Sequence, residues 1–209
     1  MDINVIVAGV GGQGSILASH IIAEAAIKGS SQTSEQINVR VGETFGAAMR
    51  GGAVASHVRI GNVYGPLVGK GQADMILAIE PLEGLRVGVE YLAKDGIAIL
   101  NGEAMAPVDV KIGAAKYPSL DEITGALNEL GKAVITIDAS KLALEAGNAK
   151  TVSVVMLGAA FASGLFPFNE ETMLEAIKER IPQKTLDVNL KAFQLGKQAF
   201  LTSWSALAS

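Results

Sequence analysis

The sequence has no cysteine in 209 residues, so this chain cannot form a disulfide bond or hold an iron-sulfur cluster through thiolate ligands. Its basic residues are not clustered and its net charge is -4, which argues against nucleic acid as a partner. Aromatic residues make up only 5% of the chain, whereas hydrophobic residues make up 49%. This composition suits an α/β protein whose strands are built from valine, isoleucine and alanine.

Long hydrophobic runs are also missing. The longest apolar stretch, residues 154–168, is shorter than the roughly 18 residues that a membrane-spanning helix needs, and it contains a serine, two glycines and a proline. Met1 and Asp2 lead directly into an apolar segment, without the basic residues that begin a signal peptide. We therefore expect no membrane association and a cytoplasmic location.

The first thirty residues predict a strand, a glycine turn and a helix. Residues 3–8, apolar except for Asn4, form a short run typical of a strand buried on both faces, and the segment from Gly9 to Gly14 follows with the spacing G-x-G-x-x-G. Residues 15–28 carry the broad apolar stripe of a helix, with Gly29 where a carboxyl-terminal cap is expected. Glycines permit a tight turn, and the free amides of the first helical turn attract an anion.

This turn has two interpretations. It either binds a phosphorylated ligand through Gly11, Gly12, Gln13 and Gly14, or it serves only the packing of helix on strand. A dinucleotide site would also need an acidic residue at the end of the second strand, about 20 residues further on. Glu35 lies at that distance, but in a polar stretch that cannot be a buried strand. NAD is therefore a poorer candidate than the glycines alone suggest.

The rest of the chain alternates predicted strands and helices. Further strands are predicted at residues 37–43, 53–60, 75–79, 97–100, 108–112 and 133–137. Further helices are predicted at residues 81–92, 119–130, 140–146, 151–162, 170–180 and 186–207. Local signals support several helix starts, notably Pro81, the capping box of Ser119 and Glu122, and Asn169.

Three of the connections are predicted to be turns. Residues 44–49 predict a short helical turn, and residues 94–96 a turn between a helix and a strand. Gly61 and Asn62 predict a hairpin turn into a short strand at residues 63–64, so the sheet should be mixed. Together the pattern predicts a single domain, residues 1–209, with a three-layer α/β/α sandwich on a mixed, mostly parallel sheet that begins in a Rossmann-like way.

Few residues outside the glycine turn are candidates for chemistry. His20 is expected to be packed or surface-facing, and His57 is expected on a solvated, half-exposed strand face, with substrate contact as the alternative. Glu80 follows a buried strand at its carboxyl end, where α/β sheets gather ligands. No catalytic residue or metal ligand set is predicted.

The segment Arg50-Gly51-Gly52 is the second candidate for binding. Arginine beside two glycines presents a planar cation next to exposed backbone amides, which suits phosphate or carboxylate. A surface arginine in a turn is the competing interpretation.

Five segments in order along nearly the whole chain resemble the gamma subunit of the 2-oxoacid:ferredoxin oxidoreductases. That group includes the pyruvate, 2-oxoisovalerate and 2-oxoglutarate enzymes and the related beta subunit of indolepyruvate oxidoreductase. The segments are GVGGQGSILAS at 9–19, GETFGAAMRGGAVASHVRIG at 42–61, GQADMILAIEPLEGLR at 71–86, VVMLGA at 154–159 and NLKAFQLG at 189–196.

The resemblance implies a non-catalytic subunit of an enzyme that converts a 2-oxoacid and coenzyme A to acyl-CoA, carbon dioxide and reduced ferredoxin. Thiamine diphosphate and iron-sulfur clusters would belong to partner subunits of alpha, beta and delta type, and ferredoxin would be an indirect partner. The family implicates this domain in receiving coenzyme A. That role is carried over only to residues that match the motifs, which are Gly11, Gly12, Gln13, Gly14, Arg50, Gly51 and Gly52.

Two departures from the resemblance bear on contacts. A polar insertion occupies residues 29–36, and Ser153 stands where many relatives have asparagine. The isolated chain is expected to be inactive and to associate, either with partner subunits or as a homodimer, since its mean hydropathy is +0.36. The alternative function is a free-standing, nucleotide-binding oxidoreductase of Rossmann type.

Overall fold

The computed structural model describes residues 2–31, 37–46, 51–105, 110, 113 and 116–207. In these residues six strands form one sheet, in the order β2-β3-β1-β4-β5-β6. The strands are β1 (Ile3–Val10), β2 (Asn38–Phe45), β3 (Ala53–Gly61), β4 (Ala73–Ala78), β5 (Leu92–Asn101) and β6 (Ala133–Ile137). Strands β1, β4, β5 and β6 pair in parallel, whereas β3 runs antiparallel to both β1 and β2. The predicted mixed, mostly parallel sheet is confirmed.

Seven α-helices cover the sheet within the described residues. They are α1 (Ser15–Ser30), α2 (Pro81–Tyr91), α3 (Leu120–Leu130), α4 (Ala139–Ala146), α5 (Val152–Ala162), α6 (Glu170–Arg180) and α7 (Leu186–Leu207). Helices α1 and α4 to α7 share one buried apolar cluster with one face of the sheet, and α2 and α3 share a second cluster with the other face. The three-layer α/β/α arrangement is therefore confirmed.

Several helix starts follow their local signals. Pro81 is the first residue of α2, and the side chains of Ser119 and Glu122 form the predicted capping box at α3. Asn169 caps α6 by accepting a hydrogen bond from the backbone N–H of Thr172 at 2.9 Å. These signals act within a few residues, so distant packing does not need to be known to interpret them.

Other local predictions are wrong. Gly29 does not cap α1; it lies inside the helix, where an added Cβ would be 2.7 Å from the Cβ of Phe168. Residues 63–64 form no strand, and residues 44 and 45 belong to β2 rather than to a helical turn. The turn expected at residues 94–96 is an irregular part of β5, where the pairing moves from Ala73–Leu92 to Met75–Ile97. The strand predicted at 108–112 lies largely outside the described residues.

The position of β3 bears most directly on function. It lies between β1 and β2 and pairs with both, so β1, α1 and β2 do not form the unit of adjacent parallel strands that binds a dinucleotide. An acidic residue at the end of β2 could not reach a ribose held at the turn after β1. The chain crosses instead to the other side of β1, where β4 begins the parallel half of the sheet.

Candidate functional site

A cleft of about 680 Å³ opens at the carboxyl ends of the parallel strands. It lies beside Ile79, which follows β4 and donates its N–H to the carbonyl of Ala8 in β1 at 2.8 Å. Helix α1 covers one face of the sheet after β1, and α2 covers the other face after β4. The cleft therefore lies at the switch point of the sheet, the usual ligand position in open α/β folds.

The glycine turn forms one wall of this cleft. Gly12, Gln13 and Gly14 line it, and Gly14 is the residue before α1, with φ at +89°. Helix α1 has no side-chain cap, so the amides of its first turn have no side-chain acceptor. The Gln13 side chain turns back to accept a hydrogen bond from the N–H of Val10 at 2.8 Å, which stabilises the turn.

The start of α5 forms the facing wall, and sequence reasoning did not assign it to the site. Lys150, Val152 and Ser153 line the cleft. A 3-10 turn (Ala149–Thr151) leads directly into α5, and the Asn148 side chain caps that turn by accepting a hydrogen bond from the N–H of Lys150 at 3.0 Å. Ser153 is only 2% exposed, and its Oγ would lie 2.7 Å from a Cβ placed on Gly14. The uncapped start of α1 thus meets the start of α5, with a buried hydroxyl and an exposed ammonium beside them. Such a set attracts an anion.

Asn101, at the end of β5, fixes the floor of the cleft. Its side-chain amide is 2% exposed, accepts a hydrogen bond from the N–H of Ala139 at 3.1 Å, and donates to the carbonyl of Ile79 at 3.2 Å. A second bond from its Nδ2 reaches Ser140 Oγ at 3.3 Å. Asn101 therefore holds the ends of β4 and β5 against the start of α4. The strand predicted from sequence ends at residue 100, and sequence reasoning did not assign Asn101 to a site.

Gly51 and Gly52, the described residues of the second predicted segment, lie against the glycine turn and do not line the cleft. The N–H of Gly11 donates to the carbonyl of Gly52 at 2.9 Å, and the N–H of Gly51 donates to the carbonyl of Gly11 at 3.3 Å. The N–H of Gly11 is therefore already hydrogen-bonded within the protein. Arg50 lies outside the described residues, as does Glu35, so their roles stay predictions.

His57 is not on a solvated face, as the strand alternation suggested. It is 1% exposed, its Nδ1 accepts a hydrogen bond from the N–H of Val68 at 3.2 Å, and its ring contacts Tyr91 edge to face. Burial lowers the pKa of His57, an effect opposed by the charge of Glu90. The imidazole is thus a neutral packing element beneath the loop that follows β3.

His20 lies at the surface of α1 and pairs with Glu43 of β2, with its Nε2 3.2 Å from the carboxylate Oε1. Neither residue lines the cleft. Among the described residues, no three His, Asp or Glu side chains are grouped so that they could hold a metal ion. In the same part of the chain, every helix is too short or too polar to cross a bilayer.

The fold and this cleft together define an α/β protein with an open cleft at the switch point of its sheet. The family model for pyruvate ferredoxin/flavodoxin oxidoreductase matches residues 4–199, so the chain belongs to that family. It is a subunit of the gamma and IorB type, as the resemblance of its five segments had implied.

Curated relatives support this assignment over almost their full length. The chain is 42% identical to indolepyruvate oxidoreductase subunit IorB of Thermococcus kodakarensis, over 95% of this chain and 96% of that protein. It is 43% identical to the IorB subunit of Archaeoglobus fulgidus, over 94% of each. The common gamma subunit of the pyruvate/ketoisovalerate oxidoreductases of Pyrococcus furiosus is 31% identical, over 88% of this chain and 89% of that protein.

Solved structures show the same fold. The gamma subunit of a keto/oxoacid ferredoxin oxidoreductase from Geobacter sulfurreducens superimposes with a TM-score of 0.69 at 24% identity, covering 96% of this chain and 99% of that one. A 2-oxoglutarate:ferredoxin oxidoreductase from Magnetococcus marinus, solved with 2-oxoglutarate, coenzyme A and succinyl-CoA bound, superimposes with a TM-score of 0.70 at 24% identity. The match covers 96% of this chain but 31% of that longer one.

Proposed function

We propose that this chain is the non-catalytic subunit of an oxidoreductase that decarboxylates indolepyruvate or a related aryl 2-oxoacid, with coenzyme A as co-substrate and ferredoxin as acceptor. The iron-sulfur clusters would be held by partner subunits, because this chain has no cysteine. Thiamine diphosphate would also be held there, because this chain has no G-D-G segment of the thiamine-binding type. The preference for an aryl substrate rests on identities of 42% and 43% to IorB subunits against 31% to a pyruvate/ketoisovalerate gamma subunit.

The observation that carries a role for this chain in binding coenzyme A is the cleft between α1 and α5. Coenzyme A carries a diphosphate and a ribose phosphate, which need several donors and positive charge. The turn at Gly12 to Gly14, the buried Ser153 hydroxyl and the exposed Lys150 offer these within one cleft. Apolar side chains such as Leu17, together with Val152, line the same cleft and suit the pantetheine arm.

Serine at position 153 also fits this proposal. Relatives with asparagine would present an amide here, whereas the serine presents a short hydroxyl against Gly14. A hydroxyl can donate to a phosphate oxygen as an amide does, from a side chain one atom shorter. The arginine of the neighbouring turn, Arg50, stays a second candidate on sequence grounds.

The free-standing dinucleotide-binding oxidoreductase has less support. A nicotinamide dinucleotide would need the adjacent parallel strands and the ribose-binding acid of the usual site. In this chain β3 separates β1 from β2. Binding of NAD to the purified chain with a dissociation constant in the micromolar range would favour that alternative.

The test is to assemble the chain with its partner subunits and to measure reduction of a viologen dye with indolepyruvate, pyruvate, 2-oxoisovalerate and 2-oxoglutarate. We expect the highest kcat/KM for indolepyruvate and a saturable requirement for coenzyme A. A preference for pyruvate would contradict the substrate assignment. Full activity of the partner subunits without this chain would contradict its place in the enzyme.

A further inference from the structure

Glu80 is a buried carboxylate that lies directly after β4 and precedes α2. It is 1% exposed, and its two oxygens accept three hydrogen bonds. Oε2 accepts from the N–H of Glu83 at 2.8 Å, which caps α2. Oε1 accepts from the hydroxyl of Tyr117 at 2.5 Å and from the N–H of Met105 at 3.2 Å. Oε2 therefore caps α2, whereas Oε1 contacts two residues that lie far from Glu80 in the sequence.

Of these two partners, Met105 belongs to the cleft and Tyr117 is tied to α2. Met105, with the two residues before it, lines the cleft, whereas Glu80 itself does not. The Tyr117 hydroxyl also accepts a hydrogen bond from the N–H of Leu82 at 3.3 Å, so it is tied to the first turn of α2. Burial, and then the adjacent Glu80, raise the pKa of Tyr117. The tyrosine consequently remains a hydrogen-bond donor throughout the physiological pH range.

A capping role alone does not account for the residue type. Aspartate, asparagine and serine are the preferred side chains at this position of a helix, and glutamate is not among them. The extra methylene of Glu80 lets its carboxylate reach Tyr117 and Met105 as well as the N–H of Glu83. These contacts explain why a longer acid occupies the cap.

We propose that Glu80 is a positioning residue for the cleft: together with Tyr117 it holds residues 103–105 as a wall in the arrangement that receives the ligand. Glu80 acts through the Met105 amide and does not touch the ligand. The identity of that ligand as coenzyme A rests on the proposed function. Because residues 103–105 are already held in place, the ligand does not have to order them when it binds. Loss of the Glu80 contacts should therefore lower the affinity for the ligand more than it lowers kcat.

Glu80→Asp separates the two roles of the side chain. Aspartate still caps α2, but it withdraws the carboxylate from Tyr117 and Met105. In the enzyme assembled from all its subunits, we expect KM for coenzyme A to rise by roughly tenfold, with kcat at saturating coenzyme A and Tm of the subunit nearly unchanged. Tyr117→Phe removes the hydrogen bond that orients the Glu80 carboxylate but leaves the contact with the Met105 amide, and it is expected to raise KM less.

Glu83→Gln is the matched control. Glu83 is a buried carboxylate in the same helical turn, 5% exposed, and it pairs with Arg86 at 2.6 Å rather than with the wall. We expect this variant to keep the KM of the wild type. Hydrogen exchange provides a second measurement that needs no ligand, because the Met105 amide should lose protection in Glu80→Asp and keep it in Glu83→Gln.

The outcomes are distinct. An unchanged KM in both Glu80→Asp and Tyr117→Phe, in an enzyme that otherwise saturates with coenzyme A, overturns the inference. A fall in Tm with unchanged KM also overturns it, since Glu80 would then be a helix cap only. Failure of the proposed function gives a different result. The wild-type enzyme would then show no dependence on coenzyme A, but hydrogen exchange of the Met105 amide would still increase in Glu80→Asp.

Discussion

Lys150 and Glu103 are the charged side chains among the described residues that line the cleft. Lys150 is exposed and lies two residues before the start of α5, so its ammonium adds to the positive end of that helix. Because exposed charges are screened by solvent, its contribution to binding a phosphate should be modest.

We predict that Lys150→Gln raises KM for coenzyme A by about threefold to tenfold in the assembled enzyme, with the larger effect at low salt. Lys184→Gln is the control, since Lys184 lies between α6 and α7 and does not line the cleft. Equal KM values for the Lys150 variant and the wild type at low salt would exclude this ammonium from the ligand site.

Within the glycine turn, replacement of Gly14 should cause the largest loss in the free energy of unfolding. Its φ of +89° is unfavourable for other residues, and an added Cβ would lie 2.7 Å from Ser153 Oγ. The backbone strain costs roughly 1–2 kcal/mol, and the contact with α5 adds to it. Gly14→Ala should therefore lower both the free energy of unfolding and the affinity for coenzyme A.

Gly12→Ala is the matched variant for this prediction. Gly12 has φ at +105°, but no atom lies within 4 Å of an added Cβ, so only the strain remains. We expect urea unfolding to show a smaller loss for Gly12→Ala than for Gly14→Ala. Equal losses in the free energy of unfolding would mean that the contact with Ser153 does not contribute to the effect of Gly14→Ala.

Helices α5 and α7 approach each other closely enough for their backbones to touch. A Cβ on Gly158 would lie 2.0 Å from the carbonyl oxygen of Phe193, and one on Gly196 would lie 1.8 Å from the carbonyl oxygen of Val155. These glycines belong to VVMLGA and NLKAFQLG, two of the segments on which the family resemblance rested. Their role in this structure is packing. They set the distance between two helices and so place the start of α5 at the cleft.

Gly158→Ala should force α5 and α7 apart. We predict a loss of about 1–3 kcal/mol or more in the free energy of unfolding, which corresponds to roughly 2–4 °C in Tm for each kcal/mol. Gly125→Ala in α3 is the control, because nothing lies within 4 Å of its Cβ and alanine favours a helix by about 0.5–1 kcal/mol. Thermal unfolding of both variants tests the prediction, and a Gly158→Ala protein as stable as the wild type would contradict it.

At the scale of the whole molecule, two features bear on how the chain functions. It has no cysteine, and its described residues hold no metal-binding cluster. Large apolar side chains are also exposed at several places, including Tyr64 at 79% and Leu144 at 66%, the latter lining the cleft. Such surfaces are typical of a subunit that functions in an assembly.

We predict that the isolated chain reduces no viologen dye with any 2-oxoacid, binds no thiamine diphosphate, and associates with its partner subunits when they are co-expressed. Activity assays and calorimetry check the first two statements, and analytical ultracentrifugation checks the third. Turnover by the purified single chain would contradict the subunit role, and a monomer in both the absence and the presence of the partners would contradict the association.

The sequence by itself determined those features that depend on neighbouring residues. The strand, glycine turn and helix at the amino terminus, Pro81 at the start of α2, and the capping box of Ser119 and Glu122 were all predictable, because each arises from interactions within one or two turns of chain. The family could also be inferred, since five ordered segments carry more information than one glycine motif.

Only the tertiary structure determined which strands, helices and side chains lie next to one another. It placed β3 between β1 and β2, buried His57 beneath the loop after β3, and brought the start of α5 to face the glycine turn. The glycine expected to end α1, Gly29, proved to be a packing position against Phe168. These outcomes depend on contacts between residues far apart in the chain, and neither the alternation of a strand nor the periodicity of a helix specifies which surface will cover a given face.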